Sequence, residues 1–185
     1  MQPRMSGEEL ALFSAFIRKC RSYVEFGAGG STVLASSCVA SILSVDSSKE
    51  WLHRVEQACA SGKAKPELIF VDLGPTGEWG FPVDPSTRGR WPRYHSDIWS
   101  IHDSTDADLY LIDGRFRVAC FAQVVLRCRP NAIIGVHDFA SRPAYHCVNE
   151  IAQEIARAGD MSFFLPLQKK EIAEAILQRA HNDPS

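Results

Sequence analysis

The chain has 185 residues, a net charge of −2, 45% hydrophobic and 23% charged residues, which suits one domain with a substantial core. So little net charge supplies no global field for nucleic acid or an anionic membrane, and no window reaches the apolar length of a membrane span. The first ten residues lack the apolar core of a secretion signal, and the six cysteines stand singly without a C-x-x-C pair, so a cytoplasmic protein with reduced thiols is expected.

Leu10, Phe13, Phe16 and Ile17 recur at helical spacing, predicting a leading helix within residues 1–21 that starts near Ser6 and Gly7. Ser22 to Phe26 reads as the first strand. It runs into Gly27, Ala28, Gly29 and Gly30, and then Ser31 and Thr32 open a helix to about Ser37. Glycines at such a junction let backbone turn sharply and approach a ligand closely, and the free N–H groups of the new helix favour electron-rich groups. Ser41 to Val45 is a second strand ending at Asp46, followed by Ser47 and by Ser48 as the cap of a helix over Lys49 to Ala60. Glu67 to Asp72 is a third strand that again stops on an acid.

Residues 73–97 are rich in glycine and proline and carry Trp79, Phe81, Trp91 and Tyr94. So long an aperiodic stretch reads as a lid or insertion loop, and its aromatic content argues against disorder. Arg88, Arg90 and Arg93 lie among these aromatics. They suit either a lid whose arginines pair with Asp97 or Asp84, or a surface that stacks on a nucleotide. Tyr94 to Ile101 is expected as a short helix.

Asp108 to Ile112 is a fourth strand ending on Asp113-Gly114, and Arg115 to Arg127 a helix. Ala132 to Val136 is a fifth strand leading into His137-Asp138. Ala144 to Ala158 reads as an amphipathic helix with Gly159 as its C-cap glycine. Ser162 to Leu167 is a further strand and Lys169 to Ala180 a closing helix.

Apolar strands alternating with helices imply an α/β fold, a mostly parallel sheet of six to seven strands covered on both faces in a single domain over 1–185. Ligands in such sheets bind at the carboxyl ends of the strands. Glu25, Asp46, Asp72, Asp113 and Asp138 are therefore expected to converge on one cleft.

Four segments carry a family likeness: E-F-G-A-G-G-S-T at 25–32, S-V-D at 44–46, L-I-D-G-R-F-R at 111–117 and V-H-D-F at 136–139. Over Tyr23 to Phe139 the chain resembles the class I S-adenosylmethionine-dependent methyltransferases, which have a Rossmann-like fold. It looks most like a subgroup with Gly-Pro-Thr-Gly-Glu-Trp-Gly after the third strand, here Gly74 to Gly80.

The resemblance implies S-adenosylmethionine as cofactor and a small-molecule acceptor. The expected cofactor-binding residues are Glu25, Gly27, Ala28, Gly29, Ser31, Thr32, Asp46, Ser47, Asp72, Trp79 and Asp113. Asp46 would take the ribose diol, because a carboxylate accepts two hydrogen bonds from it, and Glu25 would face the positive amino or sulfonium region. His137, Asp113 and Asp138 are the catalytic candidates. His137 is read either as a general base or as a histidine that shapes the cleft through hydrogen bonds. Arg115 and Arg117 either grip an anionic substrate or are solvated at a helix start.

Asp113 and Asp138 stand where some relatives hold a divalent cation. The usual third ligand position is Phe139, so no metal is expected. Neither nucleic acid nor membrane is expected as a partner, and a homodimer is left open. Two other readings stand beside the enzyme. An NAD-binding Rossmann domain would need glycine where Thr32 stands, and its pyrophosphate would be repelled by Glu25. A non-catalytic binding module of the same fold needs no catalytic residue at all.

Overall fold

The computed structural model describes residues 1–100, 104 and 106–185. Helix α1 (Gly7–Ile17) opens with a capping box: Ser6 Oγ accepts the Glu9 N–H, and the Glu9 carboxylate accepts the Ser6 N–H. Then come β1 (Ser22–Phe26), α2 (Gly30–Ser36), β2 (Ser41–Asp46), α3 (Lys49–Ala58) and β3 (Glu67–Phe70). The glycine- and proline-rich segment contributes short 3-10 turns and one turn of helix, α4 (Arg93–Ser96), before β4 (Leu109–Ile112). Ile101, the far end of the helix expected there, lies outside the described residues. Helix α5 (Arg117–Arg127), β5 (Ile133–Val136), β6 (Ala152–Ala158), β7 (Met161–Pro166) and α6 (Lys170–Ala180) complete the chain.

The strands form one seven-stranded sheet in the order β3-β2-β1-β4-β5-β7-β6. β1 to β5 are parallel, and β7 runs antiparallel between β5 and β6. This is the Rossmann-like α/β architecture expected from the alternation of apolar strands and helices. Because strand side chains alternate between faces, Val24, Phe26, Leu43 and Val45 join the core beneath α5 and α6, while Tyr23, Ile42, Leu109 and Leu111 join Phe13 and Ile17 of α1 on the other face.

The carboxyl-terminal edge of the sheet differs from the sequence reading. Ala144 to Ala158 is not one helix: a 3-10 segment over Pro143–Glu150 gives way to β6. Residues such as Ala152, Gln153, Glu154 and Ala156 favour a helix intrinsically, but tertiary context overrides so weak a preference. β6 pairs along the whole of the apolar β7 and alternates inward and outward residues. Gly159, read as a helix cap, turns the hairpin with φ +53°; both roles use the same left-handed backbone.

Two buried polar groups hold the layers in place. Glu25 shares its face of the sheet with Ser44 on β2 and with the start of α2. It is fully buried, accepting hydrogen bonds from Ser31 Oγ, from Thr32 Oγ1 at 2.5 Å and from Ser44 Oγ at 3.2 Å. Burial pushes its carboxyl up to about 7, against the hydroxyl hydrogen bonds. On the opposite face His95 of α4 is buried between Gln123 Nε2, 3.0 Å from Nδ1, and the His181 carbonyl, 3.1 Å from Nε2. That pairing suits the neutral ring, with Nδ1 accepting and Nε2–H donating. Burial pushes its pKa down to about 4, with His181 and Arg127 nearby adding to the shift.

These groups act on stability with opposite signs. The folded value of His95 lies below its unfolded value near 6.5, so its contribution is complete above pH 6.5 and is lost as pH falls toward 4. Wild type should lose on the order of 2 kcal/mol over that interval relative to His95→Gln, read as urea unfolding free energy; equal pH slopes in the two proteins would contradict this. The folded value of Glu25 lies above its unfolded 4.5, so its contribution is complete below pH 4.5 and is lost as pH rises through about 7. Glu25→Gln should flatten the fall in melting temperature between pH 5 and 8, and an unchanged fall would count against a buried, protonatable carboxyl.

Candidate functional site

The register of the sheet builds the site. Phe26 pairs with Val45 of β2 and with Ile112 of β4, and Ile112 pairs with Val136 of β5. The next residues along these four strands are Gly27, Asp46, Asp113 and His137, so they emerge side by side at one edge. Backbone bonds continue past the strands: Gly27 N–H to Val45 O at 2.9 Å, Asp113 N–H to Phe26 O at 2.9 Å, and His137 N–H to Ile112 O at 3.2 Å.

Gly27 turns the chain with φ +102°, and a Cβ there would stand 2.5 Å from Gly114 N. The turns after β1 and β4 are thus in contact through two glycines. A Cβ on Gly114 would also overlap the Tyr94 hydroxyl, so the buried Tyr94 wedges the long loop beneath the β4 turn. Thr32 Oγ1 accepts the Gly29 N–H at 2.8 Å while donating to Glu25, and Trp51 Nε1 donates to Ala28 O at 2.6 Å. The loop Gly27–Gly29 is held from below by Thr32 and from outside by α3.

Asp46 accepts the Ser48 N–H at 3.0 Å. Burial raises its pKa to about 6, although amides of Ser48, Ser47 and Ala28 and the charge of Arg115 draw it down. Arg115 is half-buried and its Nε makes no hydrogen bond among the described residues. Asp113 and Asp138 flank His137: Nδ1 stands 3.0 Å from Asp113 Oδ1 and 3.6 Å from Asp138 Oδ1, and Nε2 stands 3.6 Å from Glu9 Oε2 on α1. Arg117, 4% exposed, reaches Asp138 at 3.0 Å and Asp113 at 3.4 Å, and donates to the carbonyls of Gly114, Asp113 and His137. Arg142 reaches Asp138 at 3.1 Å.

This network assigns physical roles. Burial disfavours a charged His137, but the hydrogen bond and charge of Asp113, with Asp138 and Glu9, outweigh it and raise the pKa to about 9. His137 is then an imidazolium at neutral pH, suited to binding carboxylates and not to taking a proton. Arg117 is spent on tying the ends of β4 and β5 together. Asp113, His137 and Asp138 offer three ligand atoms within 4.8 Å of one another. Yet the carboxylates of Glu9, Asp113 and Asp138 already face His137, Arg117 and Arg142, so the set is balanced without a divalent cation and fits one poorly.

The other expected site residues divide. Gly27, Ala28, Gly29, Asp46, Ser47 and Asp113 share the edge. Glu25, Ser31 and Thr32 lie beneath it, with the Glu25 carboxyl fully buried and accepting from the Ser31 and Thr32 hydroxyls. Asp72 points outward, accepting from Gly74 N–H at 2.9 Å and from Arg90 Nη1 at 2.8 Å. Trp79 is 69% exposed on the outer loop, while Trp91 and Tyr94 pack against Phe116 in the core. Arg93 pairs with Asp97 at 2.9 Å. Sequence reasoning passed over Glu9, whose position in a Ser-x-x-Glu capping box masks its second contact, with His137.

A scan of protein-family models and a search of curated proteins find no match to the chain. Solved structures do match it. A methyltransferase-like protein from Silicibacter pomeroyi is 25% identical with a TM-score of 0.84, over 99% of this chain and 98% of that one. An rRNA methylase from Streptococcus thermophilus is 10% identical with a TM-score of 0.58, over 88% and 99%. The N-methyltransferase NodS from Bradyrhizobium japonicum, in complex with S-adenosyl-L-homocysteine, is 11% identical with a TM-score of 0.55, over 89% and 90%. The chain has the Rossmann-like fold of these methyltransferases.

Proposed function

We propose that the protein is an S-adenosylmethionine-dependent methyltransferase acting on a small molecule. The observation that carries this reading is the register that sets the glycine turn after β1 beside the carboxylate ending β2. Gly27 and Gly29 bring backbone without side chains to this edge, where a ligand can approach closely. Asp46, held by amides of its own turn, is placed to accept both hydroxyls of a ribose diol, and Ser47 adjoins it. Glu25, Ser31 and Thr32 serve as the floor that fixes this turn. Asp72 and Trp79 border the far side, over β3.

Bound in this cradle, S-adenosylmethionine supplies an electrophilic methyl group on a sulfonium. The protein's task is then to align an acceptor and exclude water. Asp113 stands where the acceptor side begins, and its hydrogen bond to the His137 imidazolium holds it as a fixed carboxylate. Asp138 belongs to the same tie. Arg115, whose buried Nε has no hydrogen-bond partner among the described residues, would take an anionic group of the acceptor. Near-zero net charge favours a small acceptor over nucleic acid. Binding to S-adenosyl-L-homocysteine in NodS, which shares the fold, adds support.

One feature favours the second reading, a non-catalytic module: Asp113, Asp138 and Glu9 surround His137 and hold its pKa up at about 9, which suits an ion-paired histidine better than a general base. Isothermal titration with S-adenosylmethionine and S-adenosylhomocysteine tests donor binding. Wild type should bind both, and Asp46→Asn should weaken each by roughly 30-fold, the loss of a charge-assisted hydrogen-bond pair. Absence of binding to either compound at millimolar concentration would overturn the donor reading. Binding without turnover on any small acceptor would favour the module.

A further inference from the structure

The segment preceding α1 crosses the edge just described. At one end, Gly30 begins α2 beside the glycine turn, and a Cβ there would overlap the backbone of Gln2 and Pro3. Residues 2 and 3 are thus laid directly on the helix start. Next, the Arg4 guanidinium lies over the Trp79 ring, 4.5 Å from its centroid. At the other end Glu9, 6% exposed, accepts the Asp160 N–H at 2.8 Å and faces His137 Nε2 at 3.6 Å. The segment and the first turn of α1 together run from the glycine turn, past the loop after β3, to the end of β5.

Trp79 is built to meet it. Its backbone is left-handed, with φ +58°, which is uncommon for a bulky residue. The following Gly80, at φ +72°, has Ser47 Oγ 2.8 Å from where a Cβ would stand. The loop therefore closes onto the residue after Asp46 and turns the indole outward, where Arg4 stacks on it. Residues 2 and 3 on Gly30 and the Trp79 loop on Ser47 thus flank the edge that carries Gly27 and Asp46, and Arg4 joins them.

We infer that Gln2 to Arg4 form a wall of the methyl-donor site and that the Arg4–Trp79 stack is the clasp that holds it shut. This rests on the donor reading above. The clasp is a single cation–π contact at an exposed position, strong enough to slow release of a ligand and weak enough to open in each cycle.

The test is stopped-flow dissociation of S-adenosylhomocysteine from wild type, Arg4→Ala, Trp79→Ala and the double variant. Each single variant should release the ligand roughly two- to fivefold faster, and the double variant no faster than the singles, because they share one contact. Arg4→Lys, which keeps a cation over the ring, should recover part of the loss. A second readout needs no turnover: trypsin cleavage after Arg4, followed by mass spectrometry, should slow when S-adenosylhomocysteine binds wild type. Without ligand, the same cleavage should quicken in Trp79→Ala. If wild type binds and the singles release at the wild-type rate, the clasp is wrong and the donor reading stands. If wild type fails to bind at all, the donor reading falls and the wall with it.

Discussion

The Glu25 carboxyl is the interaction on which the rest of the structure depends. A carboxyl in the middle of β1, shut off from water, costs several kcal/mol unless its lone pairs are satisfied, and here three hydroxyls satisfy them. Ser31 and Thr32 come from α2 and Ser44 from β2, so one side chain fixes the relation of three elements. Thr32 passes the constraint on, accepting the Gly29 N–H with the oxygen whose proton goes to Glu25. The glycine turn therefore has a defined shape before any ligand arrives. The same side chain explains why Thr32 occupies the place where a dinucleotide fingerprint needs glycine: its hydroxyl is required there.

The second constraint lies across the edge. Three carboxylates and three cations from α1, β4, β5 and the residues after them lock the ends of β4 and β5 to the start of the chain. Such a partly buried network gains from every pairing and loses heavily if one member is removed. It holds Asp113 in place, while the buried Nε of the adjoining Arg115 has no hydrogen-bond partner among the described residues. The two constrained regions meet at Gly27 and Gly114, where the turns after β1 and β4 touch backbone to backbone.

Much of this was legible in the sequence. The five parallel strands could be read because each is a short apolar run bounded by turn residues, and four of the turns carry the residues that emerge side by side at one edge. Convergence of Asp46 and Asp113 followed from parallel topology alone. Glu25 and Asp72 did not converge, because strand alternation sends Glu25 under the sheet's covering helix and Asp72 pairs outward with Arg90. β6 was missed because Ala152 to Ala158 is composed of good helix formers, and its strand identity comes from pairing with β7, more than local preference can reveal. Arg4 and Glu9 were passed over because their partners, Trp79 and His137, are distant in sequence, and the tight seat on Gly30 shows only once the chain is folded.

The central claim is that the row Gly27 to Gly30 and Asp46 to Ser48 forms the cradle of a methyl donor. Amide resonances of the protein, followed by ¹H–¹⁵N correlation spectra as S-adenosylhomocysteine is added, test it residue by residue. The account predicts that the largest shifts fall on Gly27, Ala28, Gly29, Gly30, Ser47 and Ser48, with smaller ones at Asp113 and Gly114. Saturable shifts confined to another part of the sheet, or none at all, would contradict it.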